Sequence, residues 1–215
     1  MHEVSIKMSV NLRESEFYRG LKVGFRAAEE AGKIIDSFAE NGFQTESKED
    51  GSKVTEADKR AQERIVEVIS EEFPDDGFLG EEDNLAPGKE DRVWVIDPVD
   101  GTFNFDRGFN HYCVSIALKI DHEAVLGVVY SPESSLEKSY LGVKGKGAFA
   151  TESGLDELTR ISVSEHDSVE DSLFFLSSFD IYEDELNAEL DILERLARRD
   201  AVHRNIGSCA WKCAG

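Results

Sequence analysis

The stretch Trp94-Val95-Ile96-Asp97-Pro98-Val99-Asp100-Gly101-Thr102-Phe103-Asn104-Phe105 constrains this chain more than any other: an apolar run passes directly into two acids and then a Gly-Thr step. An apolar run bounded by turn residues predicts a buried strand, and carboxylates at the end of a buried strand are costly to desolvate unless something binds them. Pro98 keeps Asp97 extended and Gly101 permits a sharp turn, which brings the carboxylates of Asp97 and Asp100 to one side. Such an oxygen cluster suits a hard cation such as Mg²⁺. A helix starting at Gly101 would aim its free N–H groups and the positive end of its dipole at the same spot, a cradle for phosphate beside the metal. Two consecutive turns would explain Pro98 and Asp100-Gly101, but not the apolar residues around them. An EF-hand loop is excluded, because its alternating oxygens fail at Pro98 and Val99.

Other candidates are weaker on their own residues. Gly80-Glu81-Glu82-Asp83 could add a ligand from a neighbouring strand end, yet the chain has 45 Asp and Glu against 24 Lys and Arg, so a short acidic run is expected somewhere. Thr55 and Asp58 have capping-box spacing, which gives Asp58 an ordinary role in the first turn of a helix. Lys144-Gly145-Lys146-Gly147 lacks Walker spacing and reads as a turn, and no dinucleotide-binding fingerprint occurs. His111 and His203 stand alone and read as structural or solvent-facing. Cys113, Cys209 and Cys213 form no CxxC pair, which argues against a disulfide framework and a zinc site, fits a reducing cytoplasm, and leaves them without a role.

The formal charge of −21 is spread along the chain; it repels nucleic acid and anionic membranes and gives the strongly hydrated surface of a protein that works in high salt. There is no apolar signal region at the N-terminus and no run near the roughly 20 apolar residues of a membrane span. The expectation is a cytoplasmic protein with no nucleic-acid or membrane partner.

Residues 1 to 14 show no clear period and read as an extension. Phe17, Leu21, Phe25, Ala28, Gly32 and Ile35 recur at helical spacing and predict a long helix ended by Asn41-Gly42. A second helix is expected from the Thr55 cap to near Pro74. Short β-rich runs follow at Phe78-Leu79, Val93 to Ile96, Cys113 to Ile120, Ala124 to Tyr130 and Ser139 to Val143, with Asp121-His122 as a hairpin turn, so the middle third predicts an antiparallel sheet. Leu173 to Leu176 predicts a strand, Tyr182 to Arg198 a helix with Leu186, Leu190, Leu193 and Leu196 on one face, Ala201 to Arg204 a strand, and Gly207 the start of a last helix. These elements suggest two parts, residues 15–150 with the metal site and residues 151–215.

Gly80-Glu81-Glu82, Trp94 to Phe105 and Lys144 to Phe149, in this order and spacing, resemble the inositol monophosphatase family, and Val54-Thr55-Glu56-Ala57-Asp58 is similar to that family's upstream motif. The resemblance runs from about residue 15 to the end, and Phe103 after Gly-Thr resembles archaeal members, several of which also act on fructose 1,6-bisphosphate. It implies an α+β fold, a layered α-β-α-β-α sandwich of the sugar-phosphatase type. It implies that Glu81, Asp97, the carbonyl of Val99 and Asp100 bind two or three Mg²⁺ ions, with Asp97 between two of them. Thr102, with Asp58 and Glu81, would orient the water that attacks phosphorus in line; N–H groups of Gly101 and Thr102 would hold phosphate oxygens, and Gly207 and Ser208 would contribute to substrate binding. Asp58 and Glu81 take these functional roles from the resemblance, since spacing left both open.

In the family a Gly-Ser helix, matched here by Arg204 to Ala210, is followed by a Trp-Asp motif that supplies a further aspartate; no acidic residue follows Asp200 here, so an incomplete C-terminal part is expected. The activity implied is Mg²⁺-dependent hydrolysis of a small sugar or polyol phosphate, inositol 1-phosphate first and fructose 1,6-bisphosphate next, by a homodimer. The alternatives are a catalytically inactive relative that binds metal or a partner, and a nucleotide phosphatase of the 3′-phosphoadenosine type.

Overall fold

The helical spacing that begins at Phe17 folds into α2 (Tyr18–Asn41), whose stripe of Leu21, Phe25, Ala28, Gly32 and Ile35 is buried. Gly42 ends it at a φ of 78°, its N–H bonded to Phe38 O. A four-residue helix, α1 (Val10–Arg13), precedes it within the stretch expected to lack a period. The structure, a computed structural model, describes residues 10–43, 45–47, 53–81, 91–135, 138–165, 167–170, 172–176, 183–199, 202–205, 207 and 210.

Strands β1 (Thr45–Ser47) and β2 (Lys53–Thr55) form an antiparallel pair that delivers the chain to α3 (Glu56–Glu72). The capping box is present: Thr55 Oγ1 accepts from Asp58 N–H, and Asp58 Oδ2 accepts from Thr55 N–H at 2.7 Å. Helix α3 ends at Phe73, just before Pro74.

A seven-stranded sheet follows in simple chain order: β3 (Gly77–Gly80), β4 (Arg92–Asp100), β5 (Cys113–Ile120), β6 (Glu123–Tyr130), β7 (Ser139–Val143), β8 (Gly147–Thr151) and β9 (Thr159–Ile161). The expected antiparallel pairing holds from β4 to β9, and Asp121 and His122, both at positive φ (51° and 65°), make the two-residue turn between β5 and β6. Lys144 to Lys146 turn β7 into β8. One pairing corrects the sequence reading: β3 runs parallel to β4. A parallel pair needs a long connection rather than a tight turn, and two apolar residues at Phe78-Leu79 carry no sign of direction. Strand β9 continues the sheet beyond residue 150.

Short helix α4 (Thr102–Asp106) follows β4 directly. Further on, β10 (Leu173–Leu176) and β11 (Val202–Asn205) pair in parallel around α5 (Glu183–Ala197), close to the expected strand–helix–strand order. On α5 Leu196 is buried, whereas Leu190 is exposed. Tyr182, Ala201, Ser208, Cys209 and Cys213 lie outside the described residues, as do Glu82 and Asp83 and the Leu186 side chain; of the expected last helix only Ala210 is described, and it is helical.

Helices α2 and α3 pack together and onto the sheet, enclosing one apolar core. Trp94, completely buried, gives its indole N–H to Asp76 Oδ2 at 2.7 Å, and Arg92 holds the other oxygen of Asp76 at 2.9 Å. Helix α2 lies close to the sheet because Gly32 faces the Tyr130 ring: a Cβ there would stand 2.5 Å from the ring. Among the described residues no helix is long and apolar enough to cross a membrane.

Candidate active site

Residues three apart on a regular strand face opposite sides. Asp97 pairs with Ser115 and Asp100 with Cys113, so three steps on β4 match two on β5. This bulge adds one residue to β4 and returns Asp100 to the side of Asp97. Parallel pairing brings the third acid: Gly80 lies beside Ile96, and Glu81 N–H donates to Ile96 O at 3.0 Å, so Glu81 emerges next to Asp97.

The result is a set of like charges around a buried group. Burial first, then the neighbouring Glu81 and Asp100 carboxylates, push the Asp97 carboxyl well above the usual carboxylate range. Its Oδ1 is buried with no hydrogen-bond partner. An orphaned carboxylate oxygen facing other acids is what a cation would satisfy. Among the described residues no three acid, imidazole or thiol groups already converge as a closed metal cage. Mg²⁺ does not require one, since it retains several waters and takes only one or two carboxylates directly; the donors present fit that ion.

Asp58 divides its two oxygens. Oδ2 closes the cap of α3 with Thr55, and Oδ1 accepts the hydroxyl of Thr102 at 3.0 Å. The capping and site roles weighed for this residue are thus geometrically compatible. Burial raises its carboxyl above the ordinary value, opposed by the hydrogen bonds from Thr55 and Thr102. Thr102 Oγ1 is also 3.0 Å from Val99 O; its single proton serves one acceptor at a time.

Gly101 caps α4 at a φ of 98°, and any Cβ there would stand 2.8 Å from His111 O. Only glycine meets both conditions. Five residues make too short a helix for much of a dipole, so what α4 offers an anion is chiefly its free N–H groups. Phe105 anchors it, stacked on Phe43 at 4.4 Å and edge-on to Tyr112 at 5.0 Å, while Asn104 donates to His111 O at 2.6 Å.

Residues from the far end of the chain meet this cluster. Gly207 stands against the Asn104 amide, and Ala210 N–H donates to Asp100 Oδ2 at 2.6 Å. The Cys113 thiol lies 3.5 Å from the same oxygen. Sequence reading missed Asn104, Cys113 and Ala210, whose places depend on the bulge and on long-range folding. Glu81, Asp97, Val99, Asp100, Gly101, Thr102, Asp58 and Gly207 all come to this region. His111 takes part through its carbonyl, with its ring stacked on Phe109. A separate hollow of about 320 Å³ lies at the opposite end of β4, where Arg19 pairs with Glu72 and Arg92 with Asp76.

The sequence profile of the inositol monophosphatase family matches residues 19–214. A histidinol-phosphatase of Chlorobaculum parvum is 43% identical over 130 residues, 60% of this chain and 49% of the relative. A fructose-1,6-bisphosphatase/inositol-1-monophosphatase of Thermotoga maritima is 35% identical over 161 residues, 75% of this chain and 57% of the relative. The chain spans about half the length of these sequence relatives. Among solved structures, the extragenic suppressor protein suhB of Bartonella henselae superposes with a TM-score of 0.81 at 27% identity, covering 91% of this chain and 73% of that one. The layering of helices on a mixed sheet described above is shared with it.

Proposed function

Because this chain belongs to the inositol monophosphatase family, we propose that it serves Mg²⁺-dependent hydrolysis of small phosphate monoesters, inositol 1-phosphate first and fructose 1,6-bisphosphate second. The observation that carries this reading is the partnerless, buried Oδ1 of Asp97 among Glu81 and Asp100, directly before the N–H groups that open α4.

Glu81, Asp97, the carbonyl of Val99 and Asp100 would share two or three magnesium ions, one or two carboxylates to each. Bound there, they supply positive charge against the charge that develops on oxygen in phosphoryl transfer and make water more acidic. The chain's own residues orient and relay. Thr102 Oγ1 accepts a hydrogen from the attacking water and passes its own proton to Asp58 Oδ1, 3.0 Å away. Glu81 holds the other side of that water. N–H groups of Gly101 and Thr102 bind phosphate oxygens as the new P–O bond forms and the ester P–O bond breaks, and Gly207 lines the substrate. Positioned donors of this kind act mainly by fixing geometry and stabilising charge.

A second substrate reading is favoured by the 43% identity to a protein named histidinol-phosphatase, which adds to the test set a phosphate ester that also carries an ammonium group; an acidic chain suits that ammonium end. We further propose a cytoplasmic homodimer suited to high salt, and light scattering of a monodisperse monomer would overturn the dimer. Phosphate release is measured from inositol 1-phosphate, fructose 1,6-bisphosphate, histidinol phosphate and 3′-phosphoadenosine 5′-phosphate, with Mg²⁺ and with chelator. The expected result is release only with Mg²⁺, abolished by Asp97→Asn. Release that survives Asp97→Asn ends the mechanism; silence with all four esters while Mg²⁺ still binds replaces it with a metal-binding relative that lacks turnover.

A further inference from the structure

We propose that Cys113 is a positioning residue for the acid cluster: its thiol and the N–H of Ala210 converge on Oδ2 of Asp100 and fix the orientation of that carboxylate. The proposal rests on the reading of Asp100 as a metal ligand.

Cys113 is completely buried, opens β5, and is the register partner of Asp100 across the bulge. Its Sγ lies 3.5 Å from Asp100 Oδ2. Ala210 N–H, from the far end of the chain, reaches the same oxygen at 2.6 Å. Two donors 97 residues apart in sequence therefore converge on one carboxylate oxygen. A carboxylate that turns freely must be ordered when an ion binds, whereas one already held spends less of the binding energy on ordering. Outer donors that orient a ligating group commonly set metal affinity as strongly as some ligands do.

The competing account is packing. A buried cysteine usually behaves as a small apolar residue, and in that case alanine would replace it with little effect on the site. The two accounts differ because a thiol is a weak hydrogen-bond donor and a methyl group is none.

The test uses the full chain with Cys113→Ala and Cys113→Ser, each checked by thermal melting. Calorimetric titration with Mg²⁺ alone reads affinity, and infrared spectroscopy reads the S–H stretch of Cys113 as the difference between the unaltered chain and Cys113→Ser. The expected result is an S–H band lowered from that of a free thiol and displaced by Asp100→Asn. Mg²⁺ affinity should fall about tenfold in Cys113→Ala and by clearly less in Cys113→Ser, which keeps a donor. An unshifted S–H band overturns the proposal whatever the metal does. A lowered band with equal Mg²⁺ affinity in the unaltered chain and Cys113→Ala overturns it as well, leaving the bond as packing geometry. A lowered band in a chain that takes up no Mg²⁺ overturns the metal reading of Asp100, and the positioning role with it.

Discussion

The surroundings of Asp97 oppose a negative charge on its carboxyl. Burial and two neighbouring acids raise its carboxyl in the folded chain. A raised folded value means that the contribution to stability is fully present below the unfolded value and lost as pH rises through the folded one. Without metal, Asp97→Asn should therefore stabilise the chain at neutral pH by about 1–3 kcal/mol, the cost of a poorly satisfied buried polar group, and the gain should shrink on acidification. Melts in chelator across this pH range check it, and a variant less stable than its parent at neutral pH would contradict it. Adding Mg²⁺ should raise the melting temperature of the parent and not of the variant. Asp58 allows a complementary separation. Asp58→Asn keeps an acceptor for the Thr55 cap, so stability should change by about 1 kcal/mol or less, whereas losing the charged acceptor for Thr102 should lower turnover about 10²- to 10⁴-fold. Melting and phosphate release falling together would show that the cap, not the relay, is what the residue provides.

At the level of elements, the α2 surface was readable because helical period, the Asn41-Gly42 stop and burial agree. What the period does not reveal is how near the helix lies to the sheet. Gly32→Ala should destabilise by about 1–3 kcal/mol through overpacking against Tyr130, even though alanine is favoured over glycine in a helix by about 1 kcal/mol. Urea unfolding measures this, and a stabilised variant would mean that the Tyr130 ring yields freely. The capping box at Thr55 and the turn at Asp121-His122 were legible for the same reason: their chemistry lies within a few residues. The parallel direction of β3 and the bulge on β4 were not, since both depend on pairing partners distant in sequence. Of the site, Asp97, Asp100 and Gly101 could be read from their own neighbourhood, while Glu81 and Asp58 needed the family likeness. Cys113 was set aside because nothing local distinguishes a thiol opposite a carboxylate from one in a core.

Across the molecule, 45 acidic residues against 24 basic ones make self-repulsion a general term in stability. Raising monovalent salt from about 0.1 M to about 1 M shortens the screening length from about 10 Å to about 3 Å, so the melting temperature should climb over that range. Calorimetry in KCl reads the slope, and a flat or falling curve would show that ion pairs such as Arg64–Glu30 outweigh the repulsion. The order of the large sheet carries a different consequence, for synthesis. Every strand from β3 to β9 lies beside its neighbour in the chain, and contacts local in sequence form early, in N-terminal segments first as the polypeptide emerges. Glu81, Asp97 and Asp100 can then gather before Gly207 and Ala210 are made, and these later residues arrive as a latch upon an acid cluster already formed.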